Sequence, residues 1–387
     1  MNDSKKISFT TKLLAIACFV TNISQLPFFV EIGATQMLNM PMWIVVVAYL
    51  IFTNKWTKLS IRMCKMFFYS AIVVAGCLFF SIITEFEYWY SGMLNSLLIS
   101  LFIYTIGAFS SRYINRREIN FIMWSYVISA CLVAINIYFI FFHGNIDLSS
   151  SVYAYASKNS ISQIILTSII IMMLVNEKKS YWFNRVRVFG IFFQVFLLVL
   201  LRSRATLFGF FVCLAYMVFI GKINRKLKNA LLITIIAGMF FLIFNEQFAF
   251  GFLNNVIFAG RDVNSLDSLT SGRISILNTF PTLIEGHYLT GIGSIYFECF
   301  LASVILNYGI ILGIVVLIVS YTPIVYSFGG RKNKQYGILF FMVCLCYAIN
   351  SLFEGLAPIG PGVKCYFMWL LYGIFSEKKH GDTYGEC

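Results

Sequence analysis

Residues 246–313 have the sequence EQFAFGFLNNVIFAGRDVNSLDSLTSGRISILNTFPTLIEGHYLTGIGSIYFECFLASVILNYGIILG. The stretch contains Arg261, Arg273, His287 and Glu298, and it is the one long polar interruption in an otherwise apolar chain. Of the whole sequence, 59% is hydrophobic and 12% is charged, whereas soluble domains are about 25% charged. The apolar runs on both sides are therefore predicted to span a membrane, and the chain is predicted to be an all-α polytopic membrane protein.

The apolar runs can be placed along the chain by length. A helix needs about 20 apolar residues to cross a bilayer. We therefore predict about 12 transmembrane helices, an even number that puts both termini on one side. The spans are expected near 13–30, 36–53, 66–83, 93–110, 120–142, 161–176, 188–201, 205–220, 229–245, 298–320, 336–352 and 363–376. Residues 1–245 then hold the first group of spans, 246–297 form one large outer loop, and 298–387 hold the last three spans and a terminal tail.

The basic residues indicate which side faces the cytoplasm, because cytoplasmic loops are enriched in Lys and Arg. This pattern predicts that both termini are cytoplasmic. It also explains the net charge of +13 by topology, so that nucleic acid is not expected as a partner. With the N-terminus inside, every Lys and Arg falls inside except Lys158, Arg202, Arg204, Arg261, Arg273 and Lys364.

Two further features of the sequence restrict its chemistry. The ten cysteines are scattered, mostly within apolar runs, and show no CxxC or Cys/His spacing, so we predict packing roles and no metal site. Lys5, Lys6 and Lys12 precede an apolar run that lacks a small-residue cleavage site, so the first helix is expected to remain uncleaved.

Arg202 and Arg204 lie near the middle of the apolar stretch between Arg187 and Lys222. Two spans in this stretch would each have an arm of about 15 residues, or roughly 22 Å, short of the ~30 Å hydrocarbon core. The turn is therefore expected to lie recessed below the outer surface. An arginine at that depth costs ~2.5–3.5 kcal/mol unless it snorkels, pairs or faces water. The two guanidinium groups either snorkel to the interface or line a wet pocket that binds phosphate oxygens.

The outer loop contains one predicted helix. Residues 262–271 (DVNSLDSLTS) are polar and typical of a loop. From Arg273 onward, apolar residues recur at helical spacing as far as Gly286, which predicts a short amphipathic helix on the membrane surface that Pro281 kinks or restarts. Gly291 and Gly293 would allow a tight turn or a close approach to a ligand.

The charged residues of the loop have alternative interpretations. Arg261 and Arg273 are either interfacial anchors or ligands of an anion, and His287 is either structural or catalytic. Glu298 opens an apolar span, where a carboxylate is costly unless it faces a cavity or a cation.

Several of these segments together resemble the O-antigen polymerase and O-antigen ligase superfamily. They are GHYLTGIGS at 286–294, Glu298 separated by ten intervening residues from Gly309, and NYGIILG at 307–313. SRAT at 203–206 resembles the arginine-bearing turn of that family, and Lys158, Asn159 and Ser160 lie where its members often carry an asparagine at the start of a span. The resemblance covers about 150–320. Ligases carry a histidine where this chain has Glu298, which favours a polymerase.

The resemblance implies a metal-independent, inverting glycosyltransferase without a cofactor in the bacterial inner membrane, with its active site facing the periplasm. Its donor and acceptor would be undecaprenyl-pyrophosphate-linked oligosaccharides, and a chain-length regulator protein and membrane lipids would be its other partners. Arg273, Glu298 and His287 would be catalytic, and Arg202, Arg204, Arg273, Arg261 and Lys158 would bind the pyrophosphate.

Three alternatives remain at this point. An O-antigen ligase uses the same chemistry on a different acceptor. A lipid-linked oligosaccharide flippase would be expected to show repeat symmetry and helices broken at matching positions, and neither is visible in the sequence. A structural membrane subunit is the third.

Overall fold

A computed structural model describes most of the chain as helices packed around two buried central ones. It covers residues 7–53, 59–88, 92–143, 158–175, 181–201, 203–219, 273–330, 335–355, 357–360 and 365–377, and isolated positions between 229 and 251. Within these residues there is no β-strand. The helices are α1 (Phe9–Ile23), α2 (Pro27–Glu31), α3 (Thr35–Phe52), α4 (Ile61–Ile83), α5 (Gly92–Ser110), α6 (Arg116–His143), α7 (Lys158–Leu174), α8 (Tyr181–Leu200), α9 (Arg204–Phe219), α10 (Arg273–Ile284), α11 (Phe300–Gly330), α12 (Gln335–Asn350) and α13 (Tyr366–Ser376).

Each predicted apolar run that the structure describes contains a helix, although the bounds differ. The run at 229–245 lies outside the described residues apart from isolated positions. Among the described residues, 6 helices could cross a membrane by length and composition: Thr35–Phe52, Ile61–Ile83, Gly92–Tyr113, Arg116–His143, Tyr181–Leu200 and Phe300–Gly329. The described part of the chain is therefore all-helical and consistent with a membrane protein.

Two of these differences concern the first predicted run, at 13–30, and the seventh, at 188–201. The first run, expected near 13–30, is divided into α1 and α2, because Pro27 occupies the first turn of a new helix and disfavours a helical conformation for the residue before it. α8 begins at Tyr181, earlier than its predicted start at 188, and its 20 residues give a length of about 30 Å. Of the two arms predicted to be about 15 residues long, only α9, with 16 residues, has that length.

α7 and α13 form the centre of the bundle. Every side chain of α7 from Ser160 to Leu174 is buried, as is every side chain of α13 from Tyr366 to Ile374. α13 packs most closely against α5, where a Cβ added at Gly373 would overlap the carbonyl of Tyr104, so glycine permits backbone-to-backbone contact.

The bundle has two ends, which we name by the residues that meet there. At the lower end, Ser8 N–H donates to Glu118 Oε1 at 3.0 Å and the Arg62 guanidinium donates to the Ser376 carbonyl. At the upper end, Tyr88, Asn159, Ser203, Gly291 and Glu354 take part in the contacts described next.

Candidate functional site

The upper end gathers segments that are far apart in the chain. The Tyr88 hydroxyl donates to the Gly291 carbonyl at 3.0 Å, and Phe300 N–H donates to the Ser351 carbonyl at 2.9 Å. A Cβ added at Gly355 would overlap the carbonyl of Phe297. The segment between α10 and α11 therefore lies between the end of α4 and the turn that follows α12.

The arginine turn consists of Leu201, Arg202 and Ser203, between α8 and α9. Ser203 precedes the first residue of α9, its carbonyl accepts from Leu207 N–H at 2.9 Å, and its hydroxyl is 3.0 Å from the Thr206 hydroxyl. Leu201, Ser203 and Thr206 are buried. Serine is favoured immediately before a helix, because its hydroxyl can satisfy polar groups that the first turn leaves unpaired. A buried polar turn is therefore stable here.

Side-chain hydrogen bonds join this turn to α7 and to the turn after α12. The Asn159 amide donates to Glu354 Oε1 at 2.6 Å, and the Asn159 carbonyl oxygen Oδ1 accepts from the Ser203 hydroxyl at 3.2 Å. Ser162, one turn below on α7, shares a hydrogen bond of 2.9 Å with Thr206. We call Asn159, Ser162, Ser203, Thr206 and Glu354 the turn network.

Two of the predicted phosphate-binding cations lie at the edge of the turn network. Lys158 is the first residue of α7 and Arg204 the first residue of α9, and both are half-buried. Their sequence neighbours Asn159 and Ser203 are hydrogen-bonded to each other. The structure thus places Lys158 and Arg204 next in sequence to two residues that are hydrogen-bonded to each other and, through Asn159, to the carboxylate of Glu354. Arg202, the third expected cation, lies outside the described residues.

The position of these cations favours an anion. The N-terminus of a helix carries a partial positive charge of about half an elementary charge, and a Lys or Arg there adds to it. α7 and α9 each begin with a cation, and the residues next to these two cations are hydrogen-bonded to each other. The carboxylate of Glu354 supplies a single negative charge. Such a site suits a ligand with more than one negative charge, such as a pyrophosphate.

α11 is broken at Gly309, a feature that the sequence analysis did not predict. Gly309 has φ 67° and ψ −175°, a conformation that only glycine adopts readily. A Cβ there would overlap the carbonyl of Leu289. The helix therefore consists of two halves, and residues 288–293 run past the break.

Backbone groups of residues 288–293 replace the hydrogen bonds that the helix loses at the break. Ile292 N–H donates to the Leu306 carbonyl at 2.7 Å, and Ile310 N–H donates to the Tyr288 carbonyl at 2.8 Å. Because these backbone groups are satisfied inside the protein, the irregular stretch is tolerable in an apolar setting. Gly291 and Gly293 have φ 71° and 80°. The tight backbone predicted for them is confirmed, although the group approached is the chain itself.

Asn307 fixes the segment before the break. Its amide donates to the carbonyls of Ile295 at 2.8 Å and Ser303 at 2.7 Å, and its Oδ1 accepts from Ile295 N–H at 3.1 Å. This single side chain therefore holds the first half of α11 against the chain that leads into it.

The two predicted acid–base residues have different surroundings. Glu298 is half-buried, two residues before α11, and follows Phe297, whose carbonyl lies against Gly355 beside Glu354. His287 packs edge-on against Phe86, with ring centroids 5.2 Å apart. Glu298 therefore lies on the side of the site that also holds Glu354, and His287 has an aromatic neighbour that gives it a packing role.

The predicted loop helix is present as α10, from Arg273 to Ile284, and it continues through Pro281. Ile276, Phe280 and Leu283 are half-buried against a small core with Phe297 and Leu306, whereas Leu277 is exposed. Arg273 opens the helix, but its side chain and the whole of Arg261 lie outside the described residues.

Sequence reasoning missed Glu354 as a site residue. Nothing local marks it, because its partner Asn159 is 195 positions away. Asn159 was noted only through the resemblance. A carboxylate just after an apolar run, here the predicted run 336–352, is the sequence signal that could have pointed to it.

The described residues contain no group of three His, Cys, Asp or Glu that could hold a metal ion. Chemically, the arrangement offers two cations at helix starts, the buried carboxylate of Glu354 and, from a separate segment, the half-buried carboxylate of Glu298. No protein-family model matches the chain, and no curated protein matches it.

Proposed function

We propose that this chain is an O-antigen polymerase, a membrane glycosyltransferase that joins undecaprenyl-pyrophosphate-linked repeat units on the periplasmic face of the bacterial inner membrane. The observation that carries the proposal is the turn network at the upper end, in which Asn159 and Ser203, the sequence neighbours of the cations Lys158 and Arg204, are hydrogen-bonded to each other and, through Asn159, to Glu354. The resemblance of 286–313 to that superfamily supports it.

The proposal includes about twelve spans with both termini in the cytoplasm. The sides of the bundle support this orientation. Arg62, Arg116 and Arg187 lie at the lower end, where Arg116 stacks on Tyr336 and Arg187 donates to the Val175 carbonyl at 3.0 Å. The lower end would face the cytoplasm and the turn network the periplasm.

In the proposed reaction, a growing sugar chain leaves its lipid pyrophosphate and is joined to a hydroxyl of a new lipid-linked unit. Negative charge develops on the leaving pyrophosphate, so cations fixed in advance lower the barrier. Arg202, Arg204 and Lys158 would hold that group, with Arg273 and Arg261 from the loop. The acceptor hydroxyl must lose a proton, and Glu354 joins Glu298 and His287 as a candidate base.

The proposal is tested in the strain that carries this chain, by gel analysis of its lipopolysaccharide. Loss of a polymerase leaves lipopolysaccharide capped with one repeat unit, and loss of a ligase leaves none. Complementation with Arg204→Ala or Arg273→Ala should give single-unit caps at normal protein level. Arg185→Ala, which removes an arginine from the lower end, is the matched control and should restore the long ladder. Long ladders from both site variants would refute the proposal.

The Gly309 break gives a second candidate, a lipid-linked oligosaccharide flippase, because transporters place substrate sites at discontinuous helices. Among the described helices, no counterpart to this break is seen at a matching position. Purified protein in vesicles separates the two functions. A polymerase lengthens lipid-linked units that are already on its active face, whereas a flippase moves them across the bilayer without lengthening them.

A further inference from the structure

A groove at the lower end, remote from the turn network, opens between α4 and α11. It has a volume of about 440 Å³. One wall is a stripe of α4 residues one helical turn apart, Arg62, Lys65 and Tyr69, and the facing wall of α11 includes Ile318 and Val325. Tyr372 of α13 contributes to the lining.

The groove exists because the two helices touch closely only nearer the upper end. At Gly76 an added Cβ would overlap the side chain of Leu312, so α4 and α11 are in direct contact there. Lower down, larger side chains line the two helices. Val325 is 68% exposed and Ile318 is 48% exposed, so the apolar wall faces the surroundings of the protein.

The charge of the groove is concentrated at one end. Arg62 stacks on Tyr326, 4.7 Å from the ring centroid, and donates to the Ser376 carbonyl. Lys65 is exposed one turn further along α4. The residues that line the groove include no carboxylate. Glu377 is the nearby acidic group, and it accepts a hydrogen bond from Tyr104 at 3.3 Å.

We propose that this groove binds an anionic glycerophospholipid, with its phosphate at Arg62 and Lys65 and an acyl chain along Ile318 and Val325. A guanidinium, which carries five N–H donors, and an exposed ammonium are the groups that bind a phosphate diester. Basic residues between membrane helices at the level of the headgroups attract anionic lipids, each contributing about 1 kcal/mol. The apolar wall beside them matches a hydrocarbon chain, and a free soluble anion would leave that wall unused.

The test measures lipid bound to the full-length purified chain by native mass spectrometry, with phosphatidylglycerol as the anionic probe and phosphatidylcholine as the neutral one. Arg62→Gln with Lys65→Gln should weaken phosphatidylglycerol binding about 10- to 30-fold. Lys65→Gln alone, which leaves the Ser376 contact intact, should weaken it roughly fivefold. Ile318→Trp fills the groove from its exposed face without changing charge and should also abolish binding.

Arg112→Gln with Arg185→Gln is the matched control, because it removes two positive charges from the same end but none from the groove. It should bind phosphatidylglycerol as the unmodified chain does. Equal losses in the control and the groove variant would overturn the proposal, as would equal binding of phosphatidylcholine. Displacement of phosphatidylglycerol by an equal mole fraction of undecaprenyl phosphate would also overturn it, since the occupant would then be a polyprenyl phosphate.

Discussion

The arginine turn and the Gly309 break are two interruptions of apolar helices at the same end of the molecule, and they are stabilised differently. The turn between α8 and α9 is held by side chains, through the bonds from Ser203 to Asn159 and from Asn159 to Glu354. The break in α11 is held by backbone groups, through the bonds from Ile292 to Leu306 and from Ile310 to Tyr288.

This difference separates a region whose side chains can be substituted from a region whose residues are restricted to glycine by the backbone. A side chain in the turn network can be exchanged while the backbone remains in place, so charge and hydrogen bonding can change one group at a time. At the break, Gly291, Gly309 and the chain beside them leave no volume for a Cβ. We therefore interpret the break as the rigid support and the turn network as the place where ligand chemistry resides.

The largest effect is expected from Gly309→Ala. A methyl group there meets the carbonyl of Leu289, and the residue must keep φ 67°. Backbone strain of about 1–3 kcal/mol adds to an overpacking cost of about 1–3 kcal/mol. We expect little folded protein after detergent extraction, measured by size-exclusion chromatography and by the temperature of aggregation.

Gly313→Ala is the control, because it adds the same methyl group to the same helix. An added Cβ at Gly313 meets Val304 Cγ1 at 3.5 Å, an ordinary contact. This variant should extract normally. If Gly309→Ala were as stable as Gly313→Ala, the backbone-held description of the break would be wrong.

The next effect concerns the cations of the turn. Arg204→Ala and Arg202→Ala should reduce polymerisation by about 10²–10³-fold, the usual cost of losing one fixed donor to a developing negative charge. The Lys variants should be nearly as impaired, because the planar two-point contact of a guanidinium is lost. Ladder length and turnover with lipid-linked units measure this, and full activity of Arg202→Lys at normal protein level would count against phosphate binding by the turn.

Glu354→Gln tests charge apart from hydrogen bonding. The glutamine keeps an oxygen that can accept from the Asn159 amide, but it removes the negative charge. If Glu354 takes a proton or balances the cations, turnover should fall about 10²-fold or more while the amount of folded protein stays constant. The exposed Glu31, changed to Gln, is the charge-matched control. Normal turnover of Glu354→Gln would leave Glu298 as the better candidate for the base.

The helices could be predicted from the sequence because each apolar run is continuous and long enough to be recognised by itself. The start of α8 was misplaced because Arg185 and Arg187 were assigned to a loop, although an arginine can occupy the end of a helix while its head contacts polar groups, as Arg187 does with Val175. The split at Pro27 follows from local stereochemistry and could have been foreseen.

The site could be predicted only in part, because its contacts join distant residues. Lys158 and Arg204 were singled out by their place on the outer side. Their junction through Asn159 and Glu354 depends on how α7, α9 and α12 pack, which no local pattern encodes. The break at Gly309 was missed for the same reason, since Ile292 and Tyr288 supply the missing bonds from a different segment.

The smallest effect is expected from Ser203→Ala. The change removes the hydroxyl that donates to Asn159 and that is shared with Thr206, and it removes a serine from the start of α9. A neutral hydrogen bond contributes about 0.5–1.5 kcal/mol, and a serine at a helix start about 1 kcal/mol. The temperature of aggregation in detergent should fall by a few degrees, while Ser203→Thr, which retains a hydroxyl, should recover most of the loss.

Ser294→Ala, at an exposed serine of the same end, should change nothing. Equal behaviour of Ser203→Ala and Ser294→Ala would mean that backbone packing, and not side-chain hydrogen bonds, holds the arginine turn in place.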